Sequence, residues 1–94
     1  MSLAGNWDEV CLQEIRKGAW KVIIRGKPSI NLWRRMEKYM LKVKKGGILA
    51  GVRIRARKEG CIQNEWFCIG SATPISDARY MIRLLELRKE AAWG

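Results

Sequence analysis

Arg53, Arg55 and Arg57 recur at every second residue within the stretch Gly51 to Ile69. At strand spacing they share one face, and Val52, Ile54 and Ala56 share the other. Cations in one row repel each other unless something anionic lies across them. The competing explanation is a solvated strand face, which long arginine stems tolerate well. A second group able to do chemistry is Trp7-Asp8-Glu9, an indole beside two acids in a basic chain. An indole stacks on a nucleobase, a carboxylate accepts hydrogen bonds from a guanine edge, and arginines hold phosphates. A purine carrying a positive charge gains a cation–π attraction as well. The plainer role for these residues is structural: Trp7 folded back on the core, and Asp8 and Glu9 at a helix N-terminus, where the dipole favours acids. A third group, Arg34, Lys38, Lys42 and Lys45, falls along one helical stripe. It reads as a solvated face or, together with Arg53, as a surface for nucleic acid or an acidic partner.

Other chemistry is missing. The chain has no histidine, which removes the commonest general base and the commonest metal ligand. Its acids number nine and are scattered, with only Asp8 and Glu9 adjoining. Cys11, Cys61 and Cys68 form no C-x-x-C pair and have no histidine to activate them. A non-catalytic chain without metal or cofactor is therefore expected. Gly26-Lys27-Pro28-Ser29 lacks the preceding glycine and the G-K-[ST] ending of a phosphate loop. No apolar run approaches the roughly 18 residues of a membrane span, and the N-terminus lacks a signal-peptide pattern. With an odd cysteine count, these features suggest a reduced compartment, the cytoplasm, with the nucleus also open. The formal net charge of +10 argues for attraction to polyanions.

The elements that must carry these groups follow from periodicity. The 94 residues make one domain, 1–94. Residues 1–6 read as loose, and residues 8–16 as a short helix, with Val10, Leu12 and Ile15 apolar. Trp20 to Arg25 reads as a strand, ended by Gly26-Lys27-Pro28. Ser29 or Asn31 caps a helix running to about Val43. Trp33, Met36, Met40 and Val43 form its buried stripe, and Gly46-Gly47 stops it. The arginine strand turns at Lys58-Glu59-Gly60 and returns from Trp66 to Ile69 as a hairpin. Ser71-Ala72-Thr73-Pro74 reads as the start of a second helix, with Thr73 the cap and Pro74 its first position. That helix runs to about Ala92, with Ala78, Met81, Ile82 and Leu85 inward and Arg83–Glu86 and Glu86–Lys89 as surface pairs. The order is α+β: strand–helix–strand–strand–helix, with both long helices on one face of a small, largely antiparallel sheet.

The same residues, in order, carry a resemblance. Trp7-Asp8-Glu9, Lys17-Gly18-Ala19-Trp20, Leu32-Trp33, Gly51-Val52 with Arg55-Ala56-Arg57-Lys58, and Trp66 together resemble the second half of the messenger-RNA cap-binding translation initiation factor 4E family. The resemblance covers nearly all of this chain and about half of that family's domain. It implies that Trp7 is one of two indoles sandwiching a methylated guanine, and that Glu9 or Asp8 accepts hydrogen bonds from the guanine edge. It implies that Arg57, helped by Arg55 or Lys58, holds the cap phosphates, and that Trp20, Trp33 and Trp66 are structural. The chain departs from the family at three points. The second stacking tryptophan lies upstream of anything present, so either another chain or Trp93 supplies that wall, or the chain keeps the fold without the full activity. The acid directly after Trp7 is aspartate. A second phosphate-binding lysine would fall near Ile62, which cannot do that work.

Two other readings compete with RNA-cap binding. Val22 to Pro28, followed by a helix and a basic strand, is similar to the Alba family of small basic nucleic-acid-binding proteins, although this sequence stops where that family adds a strand hairpin. An accessory or viral interaction protein docking an acidic partner through the Arg34–Lys45 stripe is the third. A half-sheet would also leave an unpaired edge, which a second copy of the chain could cover as a homodimer.

Overall fold

The computed structural model describes residues 7–46, 50–58, 66–72 and 78–93. Their elements run β1 (Glu9–Arg16), β2 (Ala19–Gly26), α1 (Ile30–Gly46), β3 (Val52–Arg57), β4 (Trp66–Ala72) and α2 (Ala78–Trp93). The strands form one antiparallel sheet in the order β2-β1-β3-β4. The α+β class and the helices on one side of the sheet agree with the sequence.

The stretch expected to be a short helix is instead β1, a central strand. Its period is two: Val10, Leu12 and Glu14 are buried on one face, while Glu9, Cys11 and Gln13 take the other. The alternation is disguised because a charged residue, Glu14, occupies a core-side position. Its carboxylate accepts hydrogen bonds from the Tyr39 hydroxyl and the Arg16 guanidinium, which satisfies it at 1% exposure. Lys17 and Gly18 join β1 to β2 with φ of 52° and 78°. Two successive positive φ values make the tight turn that matches strand twist.

Ser29 does cap α1: its Oγ accepts from the Leu32 N–H at 3.1 Å. Leu32, Trp33, Met36 and Met40 are buried against Val10, Leu12, Ile24, Val52, Ile54 and Ala56. From α2, Met81 and Leu85 complete this core. Ser71 and Ala72, expected to begin α2, end β4 instead, where they pair with Arg53 and Val52. Thr73 and Pro74 lie outside the described residues, as do Glu59, Gly60, Cys61 and Ile62. Gly70 of β4 lets α2 approach closely, because a Cβ there would stand 2.5 Å from Leu84 Cδ2. The Arg83–Glu86 pair forms at 3.1 Å, whereas Lys89 donates to Glu37 of α1 at 2.7 Å, tying the helices together in place of the expected pair with Glu86. Among the described residues no helix is long and apolar enough to cross a membrane.

Candidate nucleic-acid interface

Because both helices pack on the side of Val10, Leu12 and Ile54, the opposite face carries every second residue of the sheet with no described helix over it. Strand register decides which side chains meet there. Arg57 lies opposite Glu9 on one side and Trp66 on the other. One pleat along, Arg25, Cys11, Arg55 and Cys68 line up across all four strands. The next pleat holds Val22, Gln13, Arg53 and Ser71. The arginine row of β3 is thus extended sideways by Arg25 and flanked by indoles.

Glu9 is the carboxylate among these groups. Arg25 grips it with two hydrogen bonds, Nε at 2.8 Å and Nη2 at 3.0 Å, and Arg57 Nε stands 3.6 Å away. The Arg25 hydrogen bonds, with added attraction from Arg57, hold the Glu9 carboxyl below the usual carboxylate range. Arg25 and Arg57 each place their guanidinium carbon 5.8 Å from the centre of the Trp66 ring. Arg53 stacks closer on Trp20, at 4.0 Å, and its Nε donates to Gln13 Oε1 at 2.7 Å. Arg55 Nη2 donates to the Trp66 carbonyl at 3.3 Å. The face is therefore an alternation of guanidinium and indole planes, each arginine steadied by an aromatic ring or an acceptor.

A shallow cavity of about 180 Å³ opens in this face, lined by Cys11, Gln13, Val22, Arg25, Arg55 and Trp66. Cys11, one of its lining residues, is only 4% exposed. Burial pushes its thiol pKa up, against the opposing pull of Arg55, so Cys11 is a neutral S–H and not a reactive thiolate. Among the described residues, no three histidine, cysteine or acidic side chains converge as a metal site would require.

The residues singled out in the sequence divide into two places. Trp7, Asp8, Glu9 and Arg57 lie at the same end of the sheet, where the Asp8 N–H donates to the Arg57 carbonyl at 2.9 Å and Glu9 pairs with Arg57 across the strands. The Trp7 ring packs against Phe67, 6.0 Å between centroids, and against the core. Arg55 follows one pleat away, and the exposed Lys58 directly follows β3. Arg34, Lys38 and Lys42 are exposed on the outward side of α1, turned from its buried Trp33, Met36 and Met40. Lys45 lies in the last turn of that helix. That stripe is not continuous with Arg53, which belongs to the sheet face. Of the three tryptophans expected to be structural, Trp33 alone is in the core, 4% exposed, with Arg88 over its ring at 5.4 Å. Trp20 and Trp66 stand half-buried among the arginines. Arg25, Gln13 and these two indoles carry no local sign of a site in the sequence, because only strand pairing brings them to the arginine row.

The chain was compared with protein-family models, with curated proteins and with solved structures, and none of them matches it.

Proposed function

We propose that this chain is a non-catalytic RNA-binding protein and that the helix-free face of its sheet is the binding surface. One observation carries the reading: Arg25, Arg53, Arg55 and Arg57 share that face with the rings of Trp20 and Trp66, against one carboxylate, Glu9, among the described residues. Guanidinium groups neutralise phosphates, and indoles between them give bases a plane to stack on, which is how single strands are held without base pairing. The test is a fluorescence-anisotropy titration with labelled single-stranded RNA at several salt concentrations. The logarithm of affinity is expected to fall with the logarithm of salt, with a slope of about −0.7 for each phosphate neutralised. Trp66→Ala is expected to weaken binding by about 1–3 kcal/mol, the usual size of one stacking contact. Binding that survives Arg53→Ala/Arg55→Ala and is lost in Arg34→Ala/Lys38→Ala/Lys42→Ala would move the interface to α1. That outcome would revive the acidic-partner or Alba-like alternatives.

A second reading, binding of the messenger-RNA cap, is supported by the placement of Trp7, Asp8, Glu9 and Arg57 at the same end of the sheet. In it Trp7 stacks on the methylated guanine, and Arg57, Arg55 and Lys58 hold the phosphates. The arginines already on Glu9 compete with a guanine edge for that carboxylate. A cap-analogue titration separates the readings: quenching of tryptophan fluorescence that disappears in Trp7→Ala supports the cap, and RNA binding indifferent to Trp7 supports the sheet face.

A further inference from the structure

The two helices share one side of the sheet but not one charge pattern. α2 interleaves its exposed cations with acids: Arg83 pairs with Glu86 at 3.1 Å, and Glu90 is exposed one turn further on. α1 does not. It carries six basic residues, Arg34, Arg35, Lys38, Lys42, Lys44 and Lys45, and one acid, Glu37, whose carboxylate accepts from Lys89 of α2 at 2.7 Å. At about 100° per residue, Arg34, Lys38 and Lys42 fall on the far side of the helix from Leu32, Met36 and Met40, which are buried against the sheet. Like charges four residues apart repel and destabilise a helix, so an anion laid along them relieves a cost that α2 avoids with its own glutamates. Neither aromatic residue of α1 is exposed there: Trp33 is buried, and Tyr39 is half-buried with its hydroxyl on Glu14. The stripe can grip phosphates but offers no plane to a base.

We infer that α1 holds a second RNA segment through phosphates alone, so that one copy of the chain bridges two strands. The inference rests on the reading of the open face as RNA-binding. The two cationic surfaces lie back to back, with the core of Leu12, Ile54, Met36 and Met40 between them. The shortest dimension of the molecule is 20 Å, well beyond the Debye length of about 8 Å at physiological salt. Phosphates on one face therefore weigh little on the other. The arginines of the open face less Glu9 account for three of the net +10 charges, and α1 for five, so the larger share of the surplus faces away from the first strand. The surfaces also read different things. The open face needs unpaired bases for its indoles, whereas the stripe touches only backbone and takes any sequence.

The test fixes oligouridylate to beads and adds the whole chain, kept below the RNA concentration, with a fluorescent oligouridylate. The two oligomers cannot pair, so label on the beads reports bridging. Wild-type protein is expected to retain the label. Arg34→Gln/Lys38→Gln/Lys42→Gln keeps good helix formers and is expected to retain about tenfold less, with the salt slope of second-strand capture flatter by about 2. Its tighter site, read by anisotropy, is expected to stay close to wild type. Arg79→Gln/Arg83→Gln lowers the charge of α2 instead and is expected to leave bridging intact. Sedimentation of the wild-type complex, which needs no variant, is expected to show two oligomers on one chain. Wild-type protein that binds oligouridylate but brings no label to the beads would overturn the inference and leave the RNA-binding reading standing. No binding at all would overturn both, as would loss of all binding in a folded α1 variant. Two chains per pair of oligomers, or bridging unchanged in the α1 variant, would place the second strand on another copy or surface and overturn the inference. An equal loss in the α2 variant would make net charge the cause and overturn it too.

Discussion

On one side of β3, Val52, Ile54 and Ala56 are fully shielded from water beneath the helices; on the other, Arg53, Arg55 and Arg57 keep part of their surface in solvent. The two rows are interleaved residue by residue, so they share a backbone, a register and a set of neighbouring strands. Their physics differs. Burying a valine or isoleucine side chain contributes about 1.5–3 kcal/mol through water exclusion alone. An exposed guanidinium stacked on an indole contributes about 0.5–1 kcal/mol. The closed face therefore supplies most of the folding free energy and leaves the open face at liberty to present charge. The contrast implies that stability and binding can be changed independently by substituting adjacent residues.

The sharpest way to break that contrast is a matched pair in β3. Ile54→Ala removes a fully buried side chain and is expected to cost about 2–5 kcal/mol, a large part of the stability of a domain this size. Arg55→Ala is expected to stay within about 0.5 kcal/mol of wild type in stability, yet to lower RNA affinity and flatten its salt dependence. Urea denaturation and RNA titration on the same two proteins decide it. Equal destabilisation by both would mean that the open face is also a folding element.

Gly70→Ala probes the closed face at the sheet edge. The new methyl would meet Leu84 Cδ2 at 2.5 Å and Met81 Sδ at 3.2 Å, so α2 or its side chains must yield. Overpacking of this kind costs about 1–3 kcal/mol, and thermal unfolding measures it. RNA affinity of the folded protein should not change, because Gly70 lies on the other side from the arginines.

Glu9→Gln probes the open face from the opposite direction. Removing the carboxylate releases Arg25 and Arg57, and the sheet-face reading expects RNA to bind several-fold more tightly. If Glu9 were the acceptor for a guanine edge, affinity for a cap analogue would fall instead. Acid should mimic the substitution. The Glu9 carboxyl titrates lower in the folded chain than in the unfolded one, so its stabilising effect is full above the ordinary glutamate pKa of about 4.3. That effect is lost as pH falls from there through the lower folded value. The small wild-type stability loss over that window, followed by denaturation at each pH, should be absent in Glu9→Gln.

The closed face was largely legible in the sequence, and the open one only in part. The alternation of β3 and the Trp33-Met36-Met40 stripe of α1 are local patterns, and burial follows them. β1 escaped because Glu14 stands where an apolar residue is expected, and its partner Tyr39 lies 25 residues away. The clamp of Arg25 on Glu9 spans 16 residues and depends on strand register, which no local pattern encodes. Ser71 and Ala72 carried a helix-start signature, but pairing with β3 outweighed that local preference. Both faces therefore hinge on β1 being a strand, because it supplies Val10 and Leu12 to one and Glu9, Cys11 and Gln13 to the other.

The β1–β2 turn concealed that strand, and it offers the smallest and most specific test. Lys17 holds φ at 52° and Gly18 at 78°. Such a turn prefers asparagine followed by glycine, because asparagine tolerates the left-handed region better than residues with longer side chains. Lysine gives no such signal, so no local pattern marks a hairpin between Ile15 and Trp20. Lys17→Asn keeps the turn and relieves part of its backbone cost, so it is expected to raise stability by a few tenths of a kcal/mol. In a domain of this size that is an increase of about 1–3 °C in thermal midpoint. The residue is exposed at the end of the hairpin, remote from the Glu9 end of the sheet. RNA affinity should therefore change by no more than the loss of one charge near Trp20. A fall in stability would mean that the turn is not the left-handed pair. β1 would then lose the register that sorts its residues between the two faces.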